Sequence, residues 1–308
     1  MLVAFTSAEF QQLTVNGLIN GSAYALVGVA FGIILGVTGR FHFAFTVTYT
    51  LSAYIAAEVG QKWGLSFWLS MAVGALAGAV LGVVIEYLIY RRLARKAGAY
   101  ALLIIFVAAL GLSIAGENLI ALIWIKEASK NIYGLALKGI NVGSVTFSNL
   151  SVYRVIVGWA LIILLGVLLS RTGLGRMVRA VRVNPEMSLA VGVNPETMYL
   201  VVFAVGSFLG GVAAVFDATQ TAASPNMGFN PLFYAFVVAF LAGTGSPPVR
   251  IGIVGLAIGL IESWSGLWLS SQWSSLVVFT ILFIYIAMRP VQLNQLTRRL
   301  MPTRVART

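Results

Sequence analysis

The feature that most constrains this chain is a series of long apolar segments separated by short polar stretches. A helix needs roughly 20 mostly apolar residues to cross the hydrocarbon core of a bilayer. Seven segments are the clear candidates: residues 12–37, 65–90, 99–123, 151–170, 197–218, 249–266 and 273–288. Two further segments, 42–60 and 229–243, are shorter or interrupted by polar residues, and they are interpreted as short spans, broken helices or re-entrant pieces. The sequence therefore predicts an all-α, polytopic transmembrane helical bundle of about nine spans, with eight to ten allowed, in one domain covering residues 1–308.

The composition restricts the function classes in the same direction. Only 9% of the residues are charged, whereas typical soluble domains carry about 25%. An apolar content of 59% with so little charge argues against a soluble enzyme, a disordered protein and a nucleic-acid binder. The chain has no Cys and one His, which excludes disulfides, thiolate metal sites and a His cluster. We expect no metal site and no cofactor in this chain.

The basic residues predict the orientation in the membrane. Lys and Arg accumulate in cytoplasmic loops of membrane proteins. Most of the 20 basic residues lie in three clusters, at residues 91–96, at residues 171–182 and from Arg289 onward. Nine spans place all three clusters in the cytoplasm if the N-terminus is outside and the C-terminus inside. The net charge of +11 is thus explained by topology, without a nucleic-acid partner.

Glycine is spaced for close helix packing. Small residues at every fourth position let two helix backbones approach each other in lipid. Three groups of glycines have this kind of spacing: Gly74, Gly78 and Gly82, then Gly206, Gly210 and Gly211, then Gly252, Gly255 and Gly259. We expect most of them to pack against other helices of this chain, and the alternative is packing against a second membrane subunit. The span 12–37 followed by 42–60 also resembles 197–218 followed by 229–243, which suggests inverted repeats.

The segment 171–196 contains Val-Asn-Pro-Glu twice, at 183–186 and at 193–196. Asn is a favoured N-cap, Pro suits the first helical position, and a first-turn Glu complements the helix dipole. Each copy therefore predicts a helix start, and Gly192 predicts the end of a short helix over 185–191. Two helical turns are unstable alone in water, so we expect this helix to dock on a partner. A plain ordered loop is the alternative.

The same segment resembles the coupling loop of permeases from branched-chain amino-acid (Liv-type) ABC importers. The residues that carry the resemblance are Gly175, Arg176, Arg179, Ala180, Val181, Asn184, Pro185, Glu186, Gly192, Val193 and Asn194, together with residues 16–26, 225–228, 236–247 and 259–263. Two stretches depart from the family pattern. His42-Phe-Ala-Phe-Thr46 stands where an Asn-Phe-Ala-His-Gly type of sequence is usual, and Pro247-Pro-Val-Arg250 replaces a Gly- and Ala-containing turn.

The resemblance implies a multi-pass subunit in the bacterial inner membrane that imports branched-chain or other neutral amino acids. It also implies three partners: a cytoplasmic ATPase, a second permease in a heterodimer, and a periplasmic or lipid-anchored substrate-binding protein. No Lys follows a Gly in the chain, so the Walker A Gly-Lys-[Ser/Thr] is absent from the sequence. We therefore expect ATP to be bound by the partner subunit, and this chain not to be an enzyme.

Two groups of residues are the predicted functional sites. Asn16, Asn20 and Tyr24 share one face of the first span, and Thr46, Tyr49 and Thr50 make the second span polar. We predict that these six line a substrate pathway, with hydrogen bonding between helices as the alternative. The predicted residues for coupling to the ATPase are Arg179, Asn184, Pro185, Glu186, Met187, Leu189 and Gly192. The Arg residues of this loop are expected to meet acidic groups of the ATPase or anionic membrane lipid.

The remaining charged residues have simpler interpretations. The acids near the outer span ends are Glu58, Glu117, Asp217 and Glu262, and they are expected to reach the interface, to pair with Lys126 or Arg154, or to form an acidic mouth for an ammonium group. Glu86 is expected to pair with Arg91 and Arg92, and His42 to lie at the inner headgroup boundary.

Other function classes are alternatives. An importer of urea, short amides or aromatic acids remains open, as does a passive channel or secondary carrier. An intramembrane protease would need Ser113 as nucleophile and His42 as base in hydrogen-bond contact.

Overall fold

The computed structural model describes residues 6–124, 129–132, 134–270 and 273–288, and helices dominate it. The helices are α1 (Ser7–Thr38), α2 (Phe45–Trp63), α3 (Phe67–Ile85), α4 (Arg91–Ala97), α5 (Ala101–Ile123), α6 (Asn149–Arg171), α7 (Gly173–Val183), α8 (Pro185–Ala190), α9 (Pro195–Thr221), α10 (Phe229–Ala242), α11 (Pro248–Ser265) and α12 (Ser274–Met288). A π-helical stretch, Glu86–Tyr90, joins α3 to α4. Each of the nine predicted apolar segments contains a helix, so the prediction of an all-α membrane bundle is confirmed.

Six helices of the described residues are long and apolar enough to cross a membrane by length and composition. They are α1, α3 with its continuation through α4, α5, α6, α9 and α11, while α10 and α12 are shorter apolar helices. The 32-residue α1 begins at a capping box, in which the Thr6 side chain accepts from the Glu9 amide and the Glu9 side chain accepts from the Thr6 amide. It ends at Gly39, whose φ of +67° is a left-handed helix cap.

A short hairpin that the sequence did not predict lies between α5 and α6. Strands β1 (Gly139–Val142) and β2 (Val145–Ser148) pair antiparallel, with Val142 opposite Val145. The Gln12 side chain of α1 holds it through both backbone groups of Thr146, at 2.8 and 3.0 Å. The 23 residues of α6 span about 34 Å, so the hairpin and α8 lie at opposite ends of that helix.

Helices α1 and α9 form the centre of the bundle. In the most apolar 18-residue windows, 78% of α1 and 67% of α9 are buried, against 28% of α5 and 22% of α6. Helix α1 packs on α11, α10 and α9, while α9 packs on α3, α2 and α1. If α1, α2 and α3 are exchanged with α9, α10 and α11 in that order, the contacts of α1 become the contacts of α9. Two structural repeats that pack on each other should show this symmetry.

Glycines make these central contacts possible. A Cβ added to Gly259 of α11 would lie 2.2 Å from the Cα of Gly21 in α1. A Cβ on Gly82 of α3 would lie 2.1 Å from the Ser207 hydroxyl of α9, and one on Gly74 would lie 2.3 Å from the Ser52 carbonyl oxygen. The prediction that these small-residue faces pack within the chain is confirmed.

The predicted partner of Glu86 is wrong. Glu86 is buried and its carboxylate pairs with Arg40, not with Arg91 or Arg92. His42 is fully buried within the protein, with Nδ1 3.1 Å from the Tyr90 hydroxyl and its ring against Phe203, and its place at the inner headgroup boundary stays a prediction. Both residues are enclosed because α2, α3 and α9 meet around them. The basic tail from residue 289 and Lys126, which also entered the sequence analysis, lie outside the described residues.

Candidate functional site

The short helix α8 has the ends that the sequence predicted. Asn184 precedes it, and its Oδ1 accepts from the amides of Glu186 and Met187, both at 3.0 Å. Pro185 occupies the first helical position, and Gly192 has a φ of +80° shortly after the helix ends. The second Asn-Pro-Glu acts in the same way, because Asn194 Oδ1 accepts from the Glu196 amide at 2.9 Å where α9 begins. The prediction of a helix here is confirmed, with its end at Ala190.

Apolar side chains in α8 and at the residue that follows it are exposed. The exposed fraction is 65% for Met187, 58% for Leu189 and 73% for Val191. Ser188 is the buried member of the helix, and its hydroxyl donates to the carbonyl oxygens of Pro185 and Val193 at 2.7 and 3.2 Å. The helix is therefore closed on its inner side and presents unpartnered apolar side chains on its outer side.

Helix α7, just before α8, was missed by the sequence analysis, which interpreted these residues as a loop. Thr172 caps it by accepting from the Gly175 amide at 3.3 Å. Gly175, Val178 and Val181 are buried, and each is followed in the sequence by an exposed Arg. The Thr cap and this amphipathic spacing were the signals that could have identified it.

The Arg residues of α7 are partly engaged within the chain. Arg179 donates to the carbonyl oxygen of Leu169 in α6, and Arg182 donates to that of Gly245, just before α11. A Cβ on Gly175 would lie 2.0 Å from the Leu169 carbonyl oxygen, so α7 is folded tightly back on α6. Neither acidic groups of a partner nor lipid is needed to position these two guanidinium groups.

A cluster of charged residues holds the segment that follows α8, at the start of α9. The Glu196 carboxylate, in the first turn of α9, pairs with both Arg91 and Arg95 of α4. Close by, Arg40 pairs with Glu86 and lies 5.0 Å from the centre of the Tyr199 ring. The sequence analysis missed the role of Glu196, because its Arg partners lie about a hundred residues away in the chain. The connection from α8 thus continues into α4 as well as into α9.

A polar cleft of about 480 Å³ opens between α1, α6, α9 and α10, toward the hairpin end of the bundle. Of the predicted pathway residues, Asn20 and Tyr24 line it. The Tyr24 ring stacks on that of Tyr234, with centroids 4.1 Å apart and an interplanar angle of 4°. The Tyr234 hydroxyl contacts Glu262 and lies 2.9 Å from Ser275. This wall of the cleft therefore combines flat apolar faces with polar edges.

The opposite wall carries an ion pair. Arg154 of α6 pairs with Asp217 of α9. The Tyr49 hydroxyl donates to the same carboxylate from the bundle interior, on the side away from the cleft. Tyr49 is fully buried, so it reaches the cleft only through Asp217. The alternative in which Asp217 pairs with Arg154 is confirmed.

The other predicted pathway residues lie elsewhere. Thr46 and Thr50 are fully buried, and Thr46 Oγ1 lies 2.5 Å from the hydroxyl of Ser113. Asn16 accepts a 3.0 Å hydrogen bond from Gln12 within α1. Two of the six residues, Asn20 and Tyr24, thus line the cleft, and Tyr49 lies behind it against Asp217. Asn16, Thr46 and Thr50 do not line it. Their part in a pathway stays a prediction.

The arrangement gives no support to hydrolytic chemistry. Ser113 contacts Thr46 and lies 3.5 Å from Glu117, whereas His42 contacts Tyr90, so the proposed Ser–His pair does not form. Among the described residues, no group of three or more His, Cys, Asp or Glu side chains could hold a metal ion.

Comparison with known proteins gives one consistent result. The family model described as branched-chain amino acid transport system, permease component, matches residues 13–287. The chain is 28% identical over 297 residues to the high-affinity branched-chain amino acid transport system permease protein BraD of Pseudomonas aeruginosa, covering 92% of this chain and 94% of that protein. It is 26% identical over 296 residues to the corresponding protein LivH of Escherichia coli, covering 91% and 94%.

A shorter similarity links the chain to a sugar transporter. The fructose import permease protein FruF of Bifidobacterium longum is 28% identical over 109 residues, covering 33% of this chain and 29% of that protein. No solved structure matches the chain. The similarity to the amino-acid permeases is the one that extends over nearly the whole chain.

Proposed function

Because the chain belongs to the family of permease components of branched-chain amino acid transport systems, we propose that it imports branched-chain or other neutral amino acids as a subunit of an ATP-driven transporter. The names of BraD and LivH support branched-chain amino acids over urea, short amides or aromatic acids. In this proposal a separate cytoplasmic ATPase binds and hydrolyses ATP. A second permease forms a heterodimer with this chain, and a periplasmic or lipid-anchored binding protein delivers the substrate.

The proposed orientation in the bacterial inner membrane places α8 in the cytoplasm and the hairpin outside. Arg91, Arg95, Arg176, Arg179 and Arg182 all lie in α4 or α7, toward the α8 end of the bundle. Positive charge concentrated at one end favours that end as cytoplasmic. With nine membrane crossings the N-terminus is then outside.

The observation that carries the proposal is the exposed apolar surface of α8. The side chains of Met187, Leu189 and Val191 are each more than half exposed in the described chain. A six-residue helix with a hydrogen-bonded cap is a fixed shape rather than a flexible loop, and apolar side chains exposed together on it, outside the membrane-spanning helices, support a protein contact. The proposed partner for this surface is a groove of the ATPase.

The attachments of α8 explain how movement of the ATPase would reach the membrane. Helix α7 is folded onto α6 through Gly175 and Arg179, and the start of α9 is bound to α4 through Glu196. A displacement of α8 therefore acts on α6, α9 and α4 together. Asn184, Pro185, Glu186 and Gly192 keep the helix short and stiff, so that little of the displacement is lost within it.

The test replaces the apolar surface of α8 while leaving its fold intact. We expect Met187→Glu or Leu189→Glu to reduce co-purification of the ATPase or to abolish transport driven by ATP, because a charge would be buried in the docking groove. Met187→Leu is the matched control, since it keeps an apolar side chain of similar volume and should transport normally. Charged variants that retain normal ATP-driven uptake of leucine would contradict the assignment of α8 as the coupling helix.

A further inference from the structure

The ion pair in the polar cleft occupies an expensive position for charged groups. Arg154 and Asp217 both belong to helices that are long and apolar enough to span the membrane, and the Arg154 side chain is 9% exposed. Both residues lie within two turns of the hairpin ends of these helices, and ionisable residues in membrane-spanning helices are candidates for a functional site. Here the Asp217 side chain is 26% exposed and faces a cleft large enough for a small organic molecule.

The hydrogen bonds of the pair leave capacity for a ligand. The guanidinium of Arg154 donates to Asp217 through one terminal nitrogen. Its other terminal nitrogen is 3.5 Å from Gln220 Oε1, at the limit of a hydrogen bond, and its Nε is buried without a partner in the described part of the chain. The Nε atom is not exposed to the cleft, but the terminal nitrogen beside Gln220 has N–H donors for a second carboxylate. Asp217 has spare lone pairs for an ammonium group, since each of its oxygens accepts one hydrogen bond.

The rest of the cleft suits the remainder of an amino acid. Tyr24 and Tyr234 present stacked rings opposite the charges, and Val27 and Met227 add apolar surface. Exposed carboxamides, among them Asn20 and Asn230, surround the opening. Opposite charges on one wall and apolar surface on the other match a molecule with a zwitterionic end and an apolar side chain.

We propose that Arg154 and Asp217 form a binding site for the α-carboxylate and α-ammonium groups of an amino acid on its way through the permease. The inference rests on the proposed import function and adds the residues that recognise the substrate class. Because the pair is neutral overall, it favours a neutral zwitterion over an uncharged amide or a monoanionic acid. The pairing of Arg154 with Asp217 also makes the site weak, since a ligand must replace an existing ion pair, and weak binding allows release inward.

The test uses the whole transporter in liposomes, with both permeases, the ATPase and the binding protein, and measures uptake of leucine. We expect Arg154→Gln and Asp217→Asn each to lower kcat/KM at least about tenfold, the effect of losing one hydrogen bond to a charged group. Lys62→Gln is the control, because Lys62 is an exposed residue of α2 outside the cleft and should transport normally.

A charge exchange separates recognition from a structural role. The double variant Arg154→Asp/Asp217→Arg keeps an ion pair between α6 and α9 but reverses its polarity toward the cleft. We expect it to restore assembly and thermal stability relative to the single variants without restoring leucine uptake. Restored uptake would show a purely structural pair and overturn this inference, while leaving the import function in place. If instead the unmodified transporter imports no amino acid, the proposed function itself fails.

Discussion

The buried ion pair between Arg40 and Glu86 allows a quantitative test of how the α8 ends of the spans are held together. The Arg40 side chain is 9% exposed and that of Glu86 is 1% exposed. Arg40 follows the end of α1, Glu86 begins the π-helical stretch after α3, and the Arg40 guanidinium also lies over Tyr199 of α9. The pair therefore joins three helices near the proposed docking site of the ATPase.

The expected magnitude follows from this burial. Removing one member of a buried ion pair typically costs about 3–5 kcal/mol, because the other charge is left without compensation. Glu86→Gln and Arg40→Met should each lower the free energy of unfolding by that amount, which is about two to four orders of magnitude in the unfolding equilibrium constant. Arg40→Met/Glu86→Met should lose far less than the sum of the single variants, since neither charge remains buried.

The measurement is equilibrium unfolding in mixed micelles with increasing denaturing detergent, followed by the fluorescence of the chain's seven Trp residues. Lys62→Met is the control variant, because Lys62 forms an ion pair with Glu58 in which its own side chain is 69% exposed. Such an exposed pair should contribute less than about 1 kcal/mol. Single variants at Arg40 and Glu86 that match this control, with additive effects in the double variant, would refute the argument from burial.

Two further predictions concern packing and orientation. Gly259→Ala should destabilise the bundle by about 1–3 kcal/mol in the same unfolding assay, because the added Cβ would lie 2.2 Å from the Cα of Gly21. Gly111→Ala is the control and should be neutral or slightly stabilising, because its Cβ would have no atom within 4 Å. Since the chain has no Cys, Val142→Cys in the hairpin should react with a membrane-impermeant thiol reagent in intact cells, and Val183→Cys at the end of α7 only after permeabilisation. Labelling of both from outside would contradict the proposed topology, and equal losses at both glycines would contradict the packing argument.

Much of the fold could be predicted because its signals are local. The length of an apolar segment decides whether a helix can cross a membrane, and this places every long helix of the bundle. Helix α8 was equally accessible, since Asn184, Pro185 and Gly192 act on backbone groups only a few residues away. Helix α7 carried comparable signals in Thr172 and in its buried valines, and its omission was an error of interpretation rather than a lack of information.

The candidate sites could be predicted only in part. Asn20 and Tyr24 share a helix face, and that face does border the cleft. Thr46 and Thr50 have the same polar character, yet they are enclosed because α2 is surrounded by α3, α5 and α9. A polar residue in a span shows that it needs a partner, but its sequence does not tell whether that partner is another helix or a substrate.

By itself, the sequence determined the membrane location, the helical segments and the capped helix between α7 and α9, because each depends on neighbours within a few residues. Only the tertiary structure decided which charges meet. Glu86 lies five residues from Arg91 but pairs with Arg40, and Asp217 pairs with Arg154 across 63 positions. These pairings follow from which helices pack together, and glycines such as Gly21, Gly82 and Gly259 set that packing by letting particular backbones come close.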